Sequence, residues 1–304
     1  MTWPMRLGRA TGWRPAERGP ADHSTAAPEG STDETGWEST AIAVTGPPGA
    51  PGRSFVAINL AATLAEQSPT VLIDADPVLG TLSTQLDLDP ERSLWFLAHE
   101  ALLRPLDGEL VSRHVQRSGG LDVLTGLDDP GETGACTPEL VGAIVAELRA
   151  THRWLVVDAG ALIGAFTAAV VGHCDGVLWT VTATEVGSVS FDRTLGGRAA
   201  TGLTNDRWEG IVCNRWGRTS LPHAAADLEA AYGLPVLARI PLDPGPALRA
   251  ETRHRPMVTA GGPRRGFTEL ARAVARAAAP DRPTTGAWQT PLMTPAAVTL
   301  ATRT

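Results

Sequence analysis

A glycine-rich segment that ends in an arginine and a serine carries the clearest chemical signal in this sequence. It lies between an apolar run, 41–44, and an apolar stretch, 56–66, and reads Gly46-Pro47-Pro48-Gly49-Ala50-Pro51-Gly52-Arg53-Ser54. Backbone N–H groups at such a turn, with the positive end of a following helix, attract an anion such as phosphate. Arg53 can reach the outer phosphates, and the Ser54 hydroxyl can ligate Mg²⁺. The segment therefore predicts a phosphate-binding loop.

The loop departs from the usual phosphate-loop pattern, which has glycine at 47 and lysine at 53. The chain has Pro47 and Arg53 there, and all 26 of its Lys and Arg residues are arginines. Arginine keeps the positive charge, although as a planar fork rather than a compact ammonium. Pro48 and Pro51 remove two backbone N–H donors. An ordinary Gly/Pro turn before a helix is the alternative interpretation.

Carboxylates follow two other apolar runs. The run 70–73 leads into Asp74-Ala75-Asp76-Pro77, and the run 154–157 leads into Asp158. Because ligands of open α/β sheets bind beyond the carboxyl ends of the strands, we expect these acids near the loop. Asp158 can hold Mg²⁺ through water, and Asp76 can orient an attacking water. The alternatives are a helix N-cap at Asp158 and a turn at Asp76.

The elements that must position these residues are visible as an alternation of two patterns. Short runs of consecutive apolar residues indicate strands buried on both faces: 41–44, 70–73, 121–124, 154–157, 176–181, 210–213 and 235–240. Helix-like stretches lie between them: 56–66, 138–150, 188–200, 223–231 and 267–279. The alternation predicts an α/β fold with a mostly parallel sheet and helices on both faces. Trp95-Phe96, flanked by leucines, is more typical of a packed helix than of a cofactor site.

Composition sets the limits of the folded part and of its location. We predict disordered tails at 1–38 and 281–304, because the first 37 residues hold only Leu7 from the Val/Ile/Leu/Phe set. Residues 39–280 form the predicted domain. Three cysteines without a CxxC spacing favour a reducing compartment, and we expect a cytoplasmic protein without a transmembrane segment. A net charge of −7 excludes a chain that is basic throughout.

Five segments in the correct order resemble the ParA/MinD superfamily of deviant Walker A (SIMIBI) P-loop ATPases. The resemblance spans about residues 40–280 and is greatest to the atypical branch of CpaE/TadZ-like and septum-site-determining proteins. Besides the loop, it is carried by Ile58-Asn59-Leu60-Ala61, Asp74-Ala75-Asp76-Pro77, Asp175-Gly176-Val177-Leu178, Gly210-Ile211-Val212-Cys213-Asn214-Arg215 and Leu237-Ala238-Arg239-Ile240-Pro241-Leu242-Asp243.

The resemblance implies ATP or ADP with Mg²⁺ as cofactors. Gly49, Gly52, Arg53 and Ser54 then belong to the cofactor site, with Ser54 and Asp158 as the metal residues. Arg53, Asp76 and Asp158 are the implied catalytic residues, Asn214 would meet the base, and Pro241 also belongs to the cofactor site. Pro48 stands where the family has a signature lysine that reaches the partner's nucleotide in the dimer.

The implied function is the spatial organisation of a cargo, as in chromosome or plasmid partitioning, septum placement or pilus placement. The degenerate loop predicts weak hydrolysis, and a non-hydrolysing scaffold that recruits protein partners is the alternative. Expected partners are a second copy of the chain and a protein at a pole, a septum or a secretion or pilus machine. Segment Arg239–Arg276 holds eight arginines against three acids. A solvated basic face is the first interpretation of this segment, and a surface that binds nonspecific DNA or an acidic protein partner is the other.

Overall fold

A computed structural model describes residues 37–49, 52–78, 80–126, 134–201, 203, 207–217, 220 and 224–279. The two predicted disordered tails fall almost wholly outside the described residues. So do Ala50 and Pro51 of the glycine-rich segment.

The described chain contains every predicted strand and one more. The strands are β1 (Thr40–Gly46), β2 (Thr70–Asp74), β3 (Gln116–Ser118), β4 (Leu121–Leu124), β5 (Trp154–Ala161), β6 (Gly176–Thr182), β7 (Trp208–Trp216) and β8 (Val236–Pro241). The additional strand, β3, is short and polar, so it has no apolar run that could mark it.

All five predicted helices are also present, and the described residues contain five further α-helices of nine residues or fewer. The helices are α1 (Arg53–Leu64), α2 (Leu82–Leu86), α3 (Leu94–Ala101), α4 (Gly108–His114), α5 (Pro138–Arg149), α6 (Ala165–Gly172), α7 (Glu185–Gly197), α8 (Ala224–Tyr232), α9 (Pro244–Thr252) and α10 (Arg265–Ala277). Helix α3 confirms the helical interpretation of Trp95-Phe96, because Leu94 and Leu97 are fully buried. Within the described ranges, no helix is both long and apolar enough to cross a membrane.

The strands form one eight-stranded sheet in the order β3-β4-β2-β5-β1-β6-β7-β8. Every neighbouring pair is parallel except β3 and β4, which form an antiparallel hairpin at one edge. The predicted α/β class with a mostly parallel sheet is therefore confirmed.

Two hydrophobic cores cover the two faces of this sheet, and alternate residues of β1 enter different cores. Ala41 and Ala43 join the core formed with helices α3 to α8, whereas Ile42 and Val44 join the core formed with α1, α2, α9 and α10. Burial on both faces explains why the strands read as continuous apolar runs. Polar side chains that end such strands therefore gather at the carboxyl edge of the sheet.

Candidate functional site

The glycine-rich segment connects β1 directly to the N-terminus of α1. Gly49 and Gly52 both have left-handed backbones, with φ of 100° and 85°, a region that glycine enters without strain. Gly52 is the N-cap of α1, and Arg53 and Ser54 are its first two residues. The turn thus leads into the N-terminal end of a 12-residue helix, where N–H groups without helical partners favour an anion.

The Arg53 side chain folds back over the loop that precedes it. Its Nη1 donates a hydrogen bond to the Pro47 carbonyl oxygen at 2.8 Å, and its guanidinium faces the carboxylates of Asp76 and Asp158. Burial lowers the pKa of Arg53, and the two carboxylates oppose that shift. The cation therefore stays beside the loop, in the position predicted for a phosphate-binding side chain.

Asp158 lies inside β5 and is buried, with 1% of its surface exposed. The Gly160 N–H donates to Oδ1 at 3.4 Å, and the Ser54 side chain lowers the pKa of this carboxylate. Burial raises the pKa of Asp158 to about 6, and the charge of Asp76 adds to this effect. The alternative role as a helix N-cap is wrong, because Gly164 caps the following helix.

Asp76 follows β2 and reaches the end of β5. Its carboxylate packs against Gly160, where an added Cβ would overlap it and where φ is 68°. Its Oδ1 also accepts the Val78 N–H at 2.9 Å. The turn interpretation of Asp76 is therefore confirmed, and its role in orienting water stays a prediction.

Asn214 and Pro241 lie on neighbouring strands at the same edge of the sheet. Asn214 is 3% exposed, and its amide packs against Gly52. Pro241 ends β8, pairs with Trp216 of β7 and is exposed. The structure thus brings Asn214 to the phosphate loop, whereas Pro241 lies one strand further out.

Three supporting residues were not assigned a role from the sequence. Thr45 donates its hydroxyl to the Gly160 carbonyl at 2.9 Å, which fixes the turn that faces Asp76. Asp74, the first acid of the Asp74-Ala75-Asp76-Pro77 segment, is buried and pairs in register with Asp158 on β5. The position of Gly160, two residues after Asp158, could have marked it in the sequence as a residue of the site. Its contact with Asp76, which comes from another strand, is visible only in the structure.

The donors around Ser54 fit a magnesium ion. The Ser54 hydroxyl and the Asp158 carboxylate are adjacent oxygen groups, which is the ligand type that Mg²⁺ prefers. The charge of Asp158 raises the pKa of Asp74, and the charge of Asp76 raises the pKa of both Asp74 and Asp158, whereas the Arg53 cation lowers the pKa of Asp158. Added positive charge would offset the mutual repulsion of the three acids.

Several of the arginines between Arg239 and Arg276 already have partners in the described structure. Arg239 stacks on Trp216 at 4.9 Å, Arg264 pairs with Glu66, and Arg265 pairs with Glu269 at 2.9 Å. On α10, Arg272 and Arg276 are exposed and share a face with the Arg265–Glu269 pair.

Solved structures with the same fold come from archaea and bacteria. MinD from Pyrococcus horikoshii, complexed with Mg-ADP, is 19% identical with a TM-score of 0.64 over 78% of this chain and 96% of its own. A ParA family ATPase from Chlorobium tepidum is 19% identical with a TM-score of 0.66 over 77% and 98%. MinD of the Aquifex aeolicus MinC:MinD complex is 18% identical with a TM-score of 0.63 over 81% and 99%.

At these identities, the solved structures establish the fold alone. No curated protein matches the chain. The model of the CobQ/CobB/MinD/ParA nucleotide binding domain, however, matches residues 42–256, which is well over half of the 304 residues. That range includes the loop, both acids of the site and Asn214, and the chain therefore belongs to the CobQ/CobB/MinD/ParA nucleotide-binding family.

Proposed function

We propose that this protein binds ATP and ADP with Mg²⁺ at the Gly49–Ser54 loop. The observation that carries this proposal is the convergence of Ser54 and Arg53, the first two residues of α1, with the buried Asp158 carboxylate, whose pKa both of them lower. Ser54 and Asp158 would hold the metal, and Arg53 would face the phosphates. When bound, Mg²⁺ would neutralise charge on the phosphoryl oxygens.

The loop's composition supports slow hydrolysis rather than rapid turnover. Pro48 and Arg53 occupy the two positions at which related loops carry lysine, and the chain has no lysine elsewhere. Phosphoryl transfer depends on positive charge placed where negative charge develops. Arg53 already donates a hydrogen bond to the Pro47 carbonyl and is attracted to the carboxylates of Asp76 and Asp158. Asp76 is the residue that would orient water.

The cellular role that fits this site is the spatial organisation of a cargo through a nucleotide-dependent partner. MinD of Aquifex aeolicus was solved with its partner MinC, and the Chlorobium relative is a ParA family ATPase. We propose an equivalent protein partner for this chain at a pole, septum or pilus machine, as in the CpaE/TadZ-like branch. A second copy of the chain and DNA are further candidate partners.

A non-hydrolysing scaffold is the second candidate, and Pro48 specifically favours it. Proline has no charged side chain that could reach the nucleotide of a dimer partner, and it lacks the backbone N–H that another residue would donate in the loop. In such a protein the nucleotide would stabilise the fold and regulate partner binding without being consumed.

Titration calorimetry with Mg-ATP and Mg-ADP tests the binding proposal. We expect dissociation constants in the micromolar range or weaker, and Ser54→Ala should weaken binding about tenfold in Mg²⁺ but little in EDTA. Ser112→Ala is the matched control, because its hydroxyl bonds only to the Glu109 carbonyl on α4, at the surface. Absence of heat, together with no rise in melting temperature at millimolar nucleotide, would overturn the proposal. A phosphate-release assay with Mg-ATP then distinguishes the two candidates: slow release indicates an ATPase, and no release indicates a non-hydrolysing scaffold.

A further inference from the structure

The side chain of Asp74 joins two backbone segments at the end of β2. Its Oδ1 accepts the N–H of Asp76 at 3.3 Å, and its Oδ2 accepts the N–H of Leu82 at 3.2 Å. The residue is 1% exposed, so water does not compete for these bonds. Both described hydrogen-bond partners of this carboxylate are backbone amides, one of them just after β2 and the other at the first residue of α2.

These two bonds define the start and the end of the β2–α2 loop, residues 75–81, of which residue 79 is not described. Asp76 lies at the start of the loop, and Leu82 is the first residue of α2. Because Asp76 packs against Gly160, any change in the loop's path moves that carboxylate relative to β5. The clamp therefore lies directly behind the side chain expected to orient water.

The surroundings of Asp74 hold its carboxylate in place. A Cβ at residue 126 would lie 2.7 Å from Asp74 Cγ, so only glycine allows this approach after β4. Asp74 also pairs in register with Asp158 across β2 and β5. Burial and the Asp158 charge raise the pKa of Asp74 well above the ordinary range, which means that burying its ionised form costs free energy of folding. The hydrogen bonds to the loop and to α2 partly offset that cost.

We propose that Asp74 is a positioning residue that clamps both ends of the β2–α2 loop and thereby fixes Asp76 at the phosphate edge of the site. The clamp is a property of the folded chain without nucleotide. Its effect on turnover rests on the proposed function.

Amide hydrogen exchange without nucleotide tests the clamp directly. In Asp74→Asn, we expect peptides covering 75–82 to exchange at least about tenfold faster than in the wild type, because one of the two acceptor oxygens is lost. Asp107→Asn is the matched control: Asp107 accepts the Leu110 N–H at 2.8 Å on α4, so its change should leave the loop unaffected. Unchanged exchange in the loop would overturn the proposal.

Gly126→Ala provides a second route if Asp74→Asn does not fold. The added methyl group would push on the Asp74 carboxylate from behind, without altering the carboxylate itself. Faster exchange confined to 75–82 and the adjoining residues supports the clamp. Faster exchange spread evenly over the domain contradicts it.

A double-mutant cycle tests the consequence for catalysis. We expect Asp74→Asn to lower kcat about tenfold or more while KM for Mg-ATP changes less than about threefold. In an Asp76→Ala background, the same change should have little further effect, because the side chain that Asp74 positions is already gone. Additive losses would overturn the positioning role. If the wild type proves unable to hydrolyse ATP, the proposed ATPase activity fails, while the exchange experiment still decides the clamp.

Discussion

The side-chain amide of Asn214, on β7, packs against the backbone of Gly52 at the start of α1. This contact links the strand that was expected to meet a base with the loop that was expected to meet phosphates. Gly52 has a φ of 85°, and a Cβ there would overlap Asn214 Nδ2. Glycine is thus required both by backbone conformation and by the close approach of the amide.

Gly52→Ala should therefore destabilise the protein and disrupt the loop. We expect a loss of about 1–3 kcal/mol in the free energy of unfolding from the left-handed backbone, with the overlap adding to it. Denaturant unfolding measures the loss, and calorimetry with Mg-ADP measures binding. Gly49→Ala is the control for the loss of stability: φ is 100°, but an added Cβ meets no atom of the described residues within 4 Å. Equal losses at the two positions would show that the contact with Asn214 is unimportant.

The strands and longer helices were predictable because each leaves a pattern within a short window. Val156 and Val157, for example, face opposite cores, so β5 reads as a continuous apolar run. Helix α9 was missed because its first turn, Pro244-Gly245-Pro246, resembles a loop in sequence, although proline suits the first helical turn. Local signals therefore defined the sheet better than its connections.

The candidate site was predictable as a set of residue types but not as an arrangement. Strand order decides which strand ends are neighbours, and β5 lies between β1 and β2 although it is much later in the sequence. The packing of Asp76 on Gly160 and of Asn214 on Gly52 depends on that order. Asp74 could be recognised as an acid beside Asp76, but its two backbone bonds could not.

Asp158→Asn should stabilise the nucleotide-free protein above pH 6. Burial raises the folded-state pKa of Asp158 to about 6. Its contribution to stability is therefore present below the unfolded pKa and is lost as pH rises through about 6. The amide removes this cost, which is at most about 3 kcal/mol at 1.36 kcal/mol per pKa unit.

Unfolding in denaturant at pH 5 and pH 8 measures the effect. We expect the advantage of Asp158→Asn over the wild type to be larger at pH 8 than at pH 5. With saturating Mg-ADP, the wild type should become the more stable protein, because the variant lacks the carboxylate proposed to hold Mg²⁺. A variant that is less stable than the wild type at pH 8 without nucleotide would contradict the prediction.

Restoring lysine at the two loop positions should increase ATP turnover. Pro48→Lys with Arg53→Lys supplies compact ammonium groups where Pro48 and the Arg53 fork stand now, so we expect a rise of about tenfold or more in phosphate release. Adding Asp76→Ala should abolish the gain. A wild-type turnover comparable to ordinary ATPases and unaffected by Asp76→Ala would refute both the slow rate and the role of Asp76.

The exposed face of α10 is the place to test DNA binding. Arg272 and Arg276 lie one turn apart and exposed, whereas Arg264 and Arg265 are already paired with Glu66 and Glu269. If duplex DNA binds here, Arg272→Ala with Arg276→Ala should weaken binding at low salt about tenfold and should reduce the salt slope by about 2, since each phosphate contact contributes about 1.

The matched control is Arg264→Ala with Arg265→Ala, which removes the same formal charge from the same end of the chain and should have a smaller effect on the affinity and on the salt slope. Fluorescence anisotropy with nonspecific duplex DNA across a salt series measures both. An unchanged slope in the Arg272/Arg276 variant would leave this face as a solvated basic surface.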